Sequence, residues 1–205
     1  MGLWRDQLLP RLVDLGLRGE EHARLRARVA AGLSGRVLEI GFGSGLNLPH
    51  VPRAVTHVRA VDPALVGRRL ARERLEAFHA PVEFVGLTGE ALPLPDASVD
   101  AALSTWTLCT IPDPARALAE IRRVLVPGGA LHFVEHGLAD EPEVARWQRR
   151  LDPLQRRLFG GCRLVLPVDA LMGGAGLRVE RLQRYYMKGP RFACAMYEGL
   201  ARRVD

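Results

Sequence analysis

Apolar and polar residues recur along the chain at two different spacings, one helical and one extended. Within residues 1–35, apolar residues repeat every three or four positions and form two stripes: Trp4, Leu8, Leu12 and Leu15, then Leu25, Val29 and Leu33. This spacing predicts two amphipathic helices, and Gly32 and Gly35 mark the end of the second one. We expect the two helices to form a lid over a ligand site, or simply to pack on the main domain.

From residue 36 onward, short apolar runs alternate with longer amphipathic ones. Strands are predicted at 36–40, 55–61, 82–85, 99–103, 130–135, 179–184 and 193–198, and helices at 64–78, 114–125, 143–158 and 168–171. The alternation predicts an α/β fold with a Rossmann-like, seven-stranded, mostly parallel sheet and helices on both faces. Residues 36–205 are expected to form a single globular domain. Ligands of such sheets bind beyond the carboxyl ends of the strands.

Composition and charge narrow the function classes. The 205 residues carry a formal net charge of +6, and Lys188 is the one lysine among 29 basic residues. An excess of basic residues is typical of proteins that bind nucleic acid or an anionic surface. However, arginine in place of lysine is also what a GC-rich genome produces. We therefore expect no nucleic-acid partner.

Cysteine and histidine usage argues against a metal-dependent or disulfide-dependent protein. The three cysteines show no C-x-x-C spacing. Five histidines show no H-x-x-x-H spacing among themselves: His22, His50, His57, His79 and His132. Neither a disulfide framework nor a metal site is therefore expected. A run of about 18 apolar residues, the minimum for a membrane-spanning helix, is lacking, and the charged start does not resemble a signal peptide. These features predict a cytoplasmic location.

The strongest local signal is a glycine loop after the first predicted strand. Glu39 is followed by Gly41, Gly43 and Gly45, three glycines at every second position. Glycine lets the backbone turn tightly and approach a ligand closely. A dinucleotide fingerprint would need its third glycine at position 46, and Glu39 would repel a pyrophosphate. An acidic side chain suits a ligand with an ammonium group, so the loop favours S-adenosylmethionine over NAD; a plain strand–turn–helix connection is the alternative.

A second acidic residue follows the second predicted strand. Asp62 precedes Pro63 and lies 19 residues after Gly43. A carboxylate at this point of a Rossmann-like unit accepts hydrogen bonds from ribose hydroxyls. The alternative is a helix cap, which is the usual role of an isolated aspartate before proline. The spacing from the glycine loop favours the ribose interpretation.

Together these segments resemble the class I S-adenosylmethionine-dependent methyltransferases. The resemblance rests on four segments in order: the loop 39–45, Asp62, residues 90–100 and residues 123–129. Within that superfamily, the chain resembles a bacterial small-molecule branch related to the mammalian alkyl thiol methyltransferases. This second resemblance rests on residues 107–109, 133–136, 147–153 and 161–162.

The resemblance implies a cofactor role for residues from the glycine loop to the fourth strand. In chain order they are Glu39, Gly41, Gly43, Gly45, Asn47, Asp62, Pro63, Thr88, Gly89, Glu90, Ser104 and Thr105. The first five would frame the methionine part, with Asn47 near its carboxylate. The next two would hold the ribose, the next three the adenine, and the last two would lie beside the sulfonium. Many members of the family have an aspartate where this chain has Thr88, which leaves the adenine contact to the backbone of Gly89.

The resemblance also implies the reaction. A methyl group passes from S-adenosylmethionine to a small, apolar acceptor, and the cofactor becomes S-adenosylhomocysteine. The resemblance favours a thiol as this acceptor. Methylation of a phospholipid or another amine or hydroxyl, and a non-catalytic S-adenosylmethionine-binding protein, are the alternatives. His136 and Glu135 end the fifth strand on the ligand side and are the candidate catalytic pair, with His136 as base; a structural histidine is the alternative.

The remaining candidates concern the acceptor and the surface. Four aromatic residues are candidates for the wall of an acceptor pocket or for the core: Trp106, Trp147, Tyr185 and Tyr186. Cys109 is interpreted as a small buried hydrophobe. The arginine-rich face of residues 146–157 is expected to be solvated, and a peripheral membrane contact is left open.

Overall fold

The computed structural model describes residues 7–204, which form a seven-stranded sheet with helices on both faces. The strands are β1 (Gly35–Ile40), β2 (Val55–Val61), β3 (Val82–Gly86), β4 (Val99–Thr105), β5 (Leu125–His136), β6 (Leu177–Tyr186) and β7 (Ala195–Arg203). The helices are α1 (Leu9–Gly16), α2 (Glu20–Ala30), α3 (Leu65–Leu70), α4 (Arg72–Ala77), α5 (Pro114–Val124), α6 (Pro142–Leu158) and α7 (Val168–Gly174). The predicted Rossmann-like α/β fold is confirmed.

The strand order places a ligand crevice at the centre of the sheet. The order is β3-β2-β1-β4-β5-β7-β6, and β7 runs antiparallel to both of its neighbours while the other pairings are parallel. The chain leaves β1 toward β2 on one side and returns to β4 on the other. At such a switch point, the connections diverge beyond the carboxyl ends of the strands and leave a crevice.

Central strands are buried on both faces, which explains their almost continuous apolar sequences. On one face, α5 contributes Leu118 and Ile121 to a core that includes Leu38 and Phe133. On the other face, α2 packs against β1 and β5 through a second core. The predicted apolar positions Leu25 and Val29 of α2 are buried in it, together with Leu33 just after the helix. Helix α2 is therefore part of the body of the domain.

The first apolar stripe has the opposite orientation to the one expected. Leu8, Leu12 and Leu15 are 43%, 53% and 70% exposed, whereas Asp14 is buried at 5%; Trp4 lies outside the described residues. Asp14 faces inward because its carboxylate accepts a hydrogen bond from Ser44 Oγ at 2.6 Å. This buried polar contact fixes α1 on the glycine loop, and the apolar side chains are left on the outside.

Several element boundaries differ from the predictions, and three of the differences have a visible basis in the backbone. The helix predicted over 64–78 is broken at Ala71, which is fully buried in a small cluster with Phe42. Strand β5 begins at Leu125, before the predicted start at 130, and contains Gly128, which adopts a φ of +76° where the pairing with β4 shifts register. Helix α7 continues past its predicted end at 171 through Gly173 and Gly174. Among residues 7–204, the helices are too short or too polar to cross a bilayer.

Candidate active site

A cavity of about 480 Å³ opens at the carboxyl ends of β1, β2 and β4, at the switch point of the sheet. Its volume is in the range of small-molecule sites. The predicted residues that line it are Gly41, Gly43, Asn47, Asp62, Pro63, Thr88, Gly89, Glu90 and Thr105. Helix α1 and the residues after α6 close it from above with apolar side chains, among them Leu9, Val13 and Phe159.

The glycine loop has the conformation that its sequence predicts. Gly41, Gly43 and Gly45 have φ angles of +74°, +54° and +72°, values that favour glycine. A Cβ on Gly41 would lie 1.9 Å from Thr107 Oγ1, so no larger residue fits there. Gly45 packs instead against Phe42 and does not line the cavity. It therefore shapes the loop, and its predicted contact with the cofactor stays a prediction.

Asp62 lies at the edge of the cavity and holds the loop in place. Its Oδ2 accepts a hydrogen bond from Gly43 N at 2.7 Å, and its Oδ1 accepts one from Ala64 N at 2.6 Å. The bond to Ala64 N lies just before α3, whose N-cap residue is Ala64, so Asp62 does not cap that helix. Each carboxylate oxygen has a second lone pair, which leaves room for ribose hydroxyls. Burial raises the pKa of Asp62 and outweighs the lowering by these two hydrogen bonds.

Glu39 and Asn47 form a buried acceptor pair beneath the loop. Asn47 Nδ2 donates to Glu39 Oε1 at 2.7 Å and to Thr105 Oγ1 at 3.0 Å. Asn47 Oδ1 is buried and receives no hydrogen bond from residues 7–204. A buried acceptor without a hydrogen bond destabilises the free protein. Because this oxygen can only accept, it would bind the ammonium group of a ligand rather than its carboxylate. Burial raises the pKa of Glu39 to about 7, against the lowering by Asn47 and by the nearby cation of Arg26.

Arg26 is a site residue that the sequence interpretation missed. It lies on α2, is only 4% exposed and lines the cavity. Its Nη1 donates to Leu17 O at 3.1 Å, and its guanidinium carbon lies 4.7 Å from the centre of the Trp106 ring. Its Nε is buried without an acceptor among residues 7–204. Burial lowers the pKa of Arg26 to about 10, so it is still a cation at neutral pH. Its position in an arginine-rich helix gave no signal of burial.

The segment after β3 forms the opposite end of the cavity. Thr88 Oγ1 donates to Glu90 Oε2 at 2.7 Å, and Glu90 Oε1 accepts from Asp113 N at 2.6 Å. Gly89 is buried, and a Cβ there would lie 3.2 Å from Ile40. Both oxygens of Glu90 are therefore used in shaping this wall. Leu87, which is exposed, also lines the cavity here and offers an apolar surface to a flat ligand.

Several predicted residues lie behind the cavity wall. Ser104 is fully buried and its Oγ donates to Glu135 Oε1 at 2.7 Å. Glu135 is also fully buried and accepts from the backbone nitrogens of Thr107 at 3.1 Å and Cys109 at 3.3 Å. Burial raises the pKa of this carboxyl. Glu135 does not line the cavity; its bonds position residues 107–109, and the catalytic role predicted for it stays a prediction.

His136 is half-buried, and its Nδ1 faces two cysteine sulfurs rather than the cavity. The distances are 3.8 Å to Cys109 Sγ and 3.5 Å to Cys162 Sγ. A base acting on an acceptor in the cavity would need to be within hydrogen-bond reach of it. Its predicted role as a base therefore has no direct support in this geometry and stays a prediction.

Of the four aromatic candidates, Trp106 is the one that lines the cavity. It has a φ of +51°, unusual for a bulky residue, and its Nε1 donates to Met196 Sδ at 3.4 Å. Backbone strain of this kind is concentrated at functional sites. Trp147 is 55% exposed on α6, and Tyr185 donates to Glu198, so neither belongs to the site.

Comparison with known proteins identifies the family. A family model described as a methyltransferase domain matches residues 38–133. Phosphatidylethanolamine N-methyltransferase of Cereibacter sphaeroides is 31% identical over 138 residues, which cover 65% of this chain and 68% of that protein. The chain belongs to the class I S-adenosylmethionine-dependent methyltransferases. Members of this family use S-adenosylmethionine, which agrees with the predicted cofactor.

Other relatives are less complete matches. Human thiol S-methyltransferase TMT1A is 38% identical over 140 residues, or 65% of this chain and 57% of the relative. The chain therefore spans little more than half the length of that protein. Among solved structures, the [4+2]-cyclase SpnF superposes with a TM-score of 0.71 at 22% identity. The superposition covers 89% of this chain and 81% of the SpnF chain. This likeness concerns the fold alone.

The raised pKa of Glu39 predicts a pH-dependent affinity for this cofactor. A carboxyl with a pKa of about 7 is largely neutral below that value and anionic above it. We expect the affinity for S-adenosylhomocysteine to rise from about pH 6 to about pH 8, because its ammonium group favours the anion. Isothermal titration calorimetry at several pH values measures this. Methylthioadenosine, which lacks the ammonium group, is the control, and an equal rise for it would contradict the assignment.

The same pKa predicts how the free protein responds to pH. The folded-state value lies above the ordinary 4.5, so the native state holds more protons than the unfolded state between those two values. The contribution of Glu39 to stability is therefore lost as pH rises through that window. In Glu39→Gln, both this loss and the pH dependence of binding should be reduced.

Proposed function

We propose that this chain transfers the methyl group of S-adenosylmethionine to the sulfur of a small, apolar thiol. The observation that carries the proposal is the combination of a polar cofactor crevice with an apolar entrance made by Leu9, Val13 and Phe159. The thiol S-methyltransferases among the relatives, at 36–38% identity, support sulfur as the acceptor atom.

The residues present fit the cofactor at each of its ends. The unpartnered Asn47 Oδ1, together with Glu39, would receive the ammonium group. The cation of Arg26, whose Nε also lacks a partner within residues 7–204, would hold the carboxylate. Asp62 would accept from the ribose, and the wall around Gly89 would border the adenine. These assignments replace the predicted contact of Asn47 with the carboxylate, because its amide nitrogen already donates to Glu39 and Thr105.

When bound, S-adenosylmethionine supplies a methyl group already activated by a sulfonium. The chain then has to align the acceptor and exclude water, and holding two reactants together contributes about 7–11 kcal/mol at best. Helix α1 provides part of this enclosure, since Asp14 fixes it to Ser44 while Leu9 and Val13 face the cavity. A thiol with a pKa near that of cysteine, about 8.5, is already a few per cent thiolate at neutral pH. No general base is therefore required.

An amine of a phospholipid is the second candidate acceptor. Leu12, Leu15 and Leu154 are exposed on α1 and α6, which border the entrance. The relative from Cereibacter sphaeroides is named for methylation of phosphatidylethanolamine. Exposed apolar side chains beside a cavity suit an acceptor held in a lipid surface.

The two candidates are separated by a matched acceptor panel. Hexanethiol, hexylamine, hexanol and vesicles containing phosphatidylethanolamine are each supplied with S-adenosylmethionine, and S-adenosylhomocysteine is measured. We expect kcat/KM for the thiol to exceed that for amine and alcohol by at least about 100-fold, since a thiol ionises more readily than an alcohol and its sulfur is a stronger nucleophile than an amine that is protonated near neutral pH.

The remaining outcomes decide against the thiol. Preferred turnover of the vesicles would assign the amine of the lipid. Tight binding of S-adenosylhomocysteine without turnover on any acceptor would indicate a non-catalytic binding protein. The Asp62→Ala variant controls for a contaminating methyltransferase, because product formed by the chain itself must fall with its cofactor affinity.

A further inference from the structure

Two cysteines and a histidine from separate parts of the chain converge behind the cavity wall. Cys109 follows β4, His136 ends β5, and Cys162 follows α6. The two sulfurs lie 3.7 Å apart, and His136 Nδ1 lies 3.5 Å from Cys162 Sγ and 3.8 Å from Cys109 Sγ. Three potential metal ligands therefore form a small triangle.

We propose that Cys109, His136 and Cys162 bind a zinc ion. Zn–S bonds of about 2.3 Å and Zn–N bonds of about 2.0–2.1 Å at tetrahedral angles imply S···S of about 3.8 Å and S···N of about 3.6 Å. The three distances in the triangle lie within about 0.3 Å of the edges of such a tetrahedron. Two sulfur ligands and one imidazole are also a donor set that zinc favours.

The backbone around the triangle is held in place by groups that are not ligands. Glu135 accepts from Cys109 N, and Arg163 N donates to Cys109 O at 2.8 Å. The second bond joins the loop of Cys109 to the loop of Cys162. Partners of this kind, which fix the ligands from outside, support metal sites generally. The ligand geometry is therefore formed by the fold itself.

Burial and charge also suit a bound cation. Cys109 is fully buried and Cys162 is 6% exposed, so the site is shielded from water, while half-buried His136 leaves an approach. Each thiol releases its proton to solvent as its sulfur binds. Zn²⁺, two thiolates and a neutral imidazole then make a neutral unit, which the interior accommodates more easily than a net charge.

The site adjoins the cavity through its neighbours in sequence. Thr107, Thr110 and Gly160 line the cavity and lie within two residues of a cysteine of the triangle. A bound ion would thus fix two loops of the cavity wall. Three protein ligands leave a fourth position for water or another external ligand. Zinc binding does not rest on the proposed function.

Zinc binding is tested without any activity measurement. The full chain, kept reduced, is purified and its zinc content is measured by mass spectrometry; Co²⁺ is then titrated in place of zinc. We expect one zinc ion per chain, and with Co²⁺ the visible bands of tetrahedral coordination and a near-ultraviolet sulfur-to-metal band. In Cys162→Ser and His136→Ala, the Kd for Zn²⁺ should rise by at least about 100-fold, since even loss of an outer partner costs about 10–100-fold.

Cys194→Ser is the matched control, because Cys194 lies apart from the triangle and its Sγ donates to Lys188 O; it should keep full zinc binding. The proposal is overturned if reduced wild-type protein binds Zn²⁺ no more tightly than Cys162→Ser, or if the Co²⁺ spectrum shows no sulfur ligation. Zinc bound without any thiol methylation would reject the proposed acceptor and leave the metal site standing.

Discussion

Replacing Asp62 with alanine should lower the affinity for S-adenosylhomocysteine by about 100-fold or more. Hydrogen bonds to a charged group contribute about 1.5–3 kcal/mol each, and the carboxylate would lose those to the ribose. The change also removes the acceptors of Gly43 N and Ala64 N, which hold the glycine loop in its binding conformation. Isothermal titration calorimetry measures the loss directly.

Methylthioadenosine should lose affinity to a similar extent, because the ribose is common to both ligands. Asp96→Ala is the matched control, since the side chain of Asp96 is 76% exposed and pairs with Arg123; it should bind both ligands normally. An Asp62→Ala variant that unfolds cooperatively at a Tm near wild type yet binds S-adenosylhomocysteine normally would refute the ribose assignment.

The parts of the site that could be predicted are those encoded within one short segment. The loop from Glu39 to Gly45 has its glycines where the backbone needs positive φ angles, and Asp62 follows 19 residues after Gly43, directly after β2. Local chemistry and spacing determine both positions. The alternation of apolar runs predicted the sheet, because burial of the central strands on both faces leaves an almost continuous apolar sequence in each of them.

Residues that reach the site through tertiary packing could not be predicted in this way. Arg26 is one of many arginines, and only the packing of α2 against the sheet makes it buried. Asp14 reversed the expected orientation of α1, because a buried hydrogen bond to Ser44 outweighs the apolar stripe. Cys109 and Cys162 lie in loops that Arg163 joins, which no local spacing reveals, so the absence of a metal motif in the sequence was uninformative.

Arg26→Met should lower the affinity for S-adenosylhomocysteine by about 10- to 100-fold, the range expected for a charge-assisted hydrogen bond. Methylthioadenosine lacks the carboxylate, so its affinity should stay within about twofold. Calorimetry with the two ligands separates this residue from Asp62, whose loss affects both. Arg24→Met is the matched control on the same helix, because the side chain of Arg24 is 73% exposed and pairs with Glu20.

The stability of Arg26→Met distinguishes a binding role from a structural one. A buried cation with an unpartnered Nε within residues 7–204 is costly to the free protein, and replacing such a group with an apolar side chain of similar length is often neutral or stabilising. We therefore expect the Tm of the free variant to equal or exceed that of wild type, although its cofactor affinity falls. Because the cation of Arg26 lowers the pKa of Glu39, that pKa should rise in the variant, and the pH at which binding strengthens should rise with it. A lower Tm with unchanged affinity would instead mean that Arg26 serves only to pack α2 on the sheet.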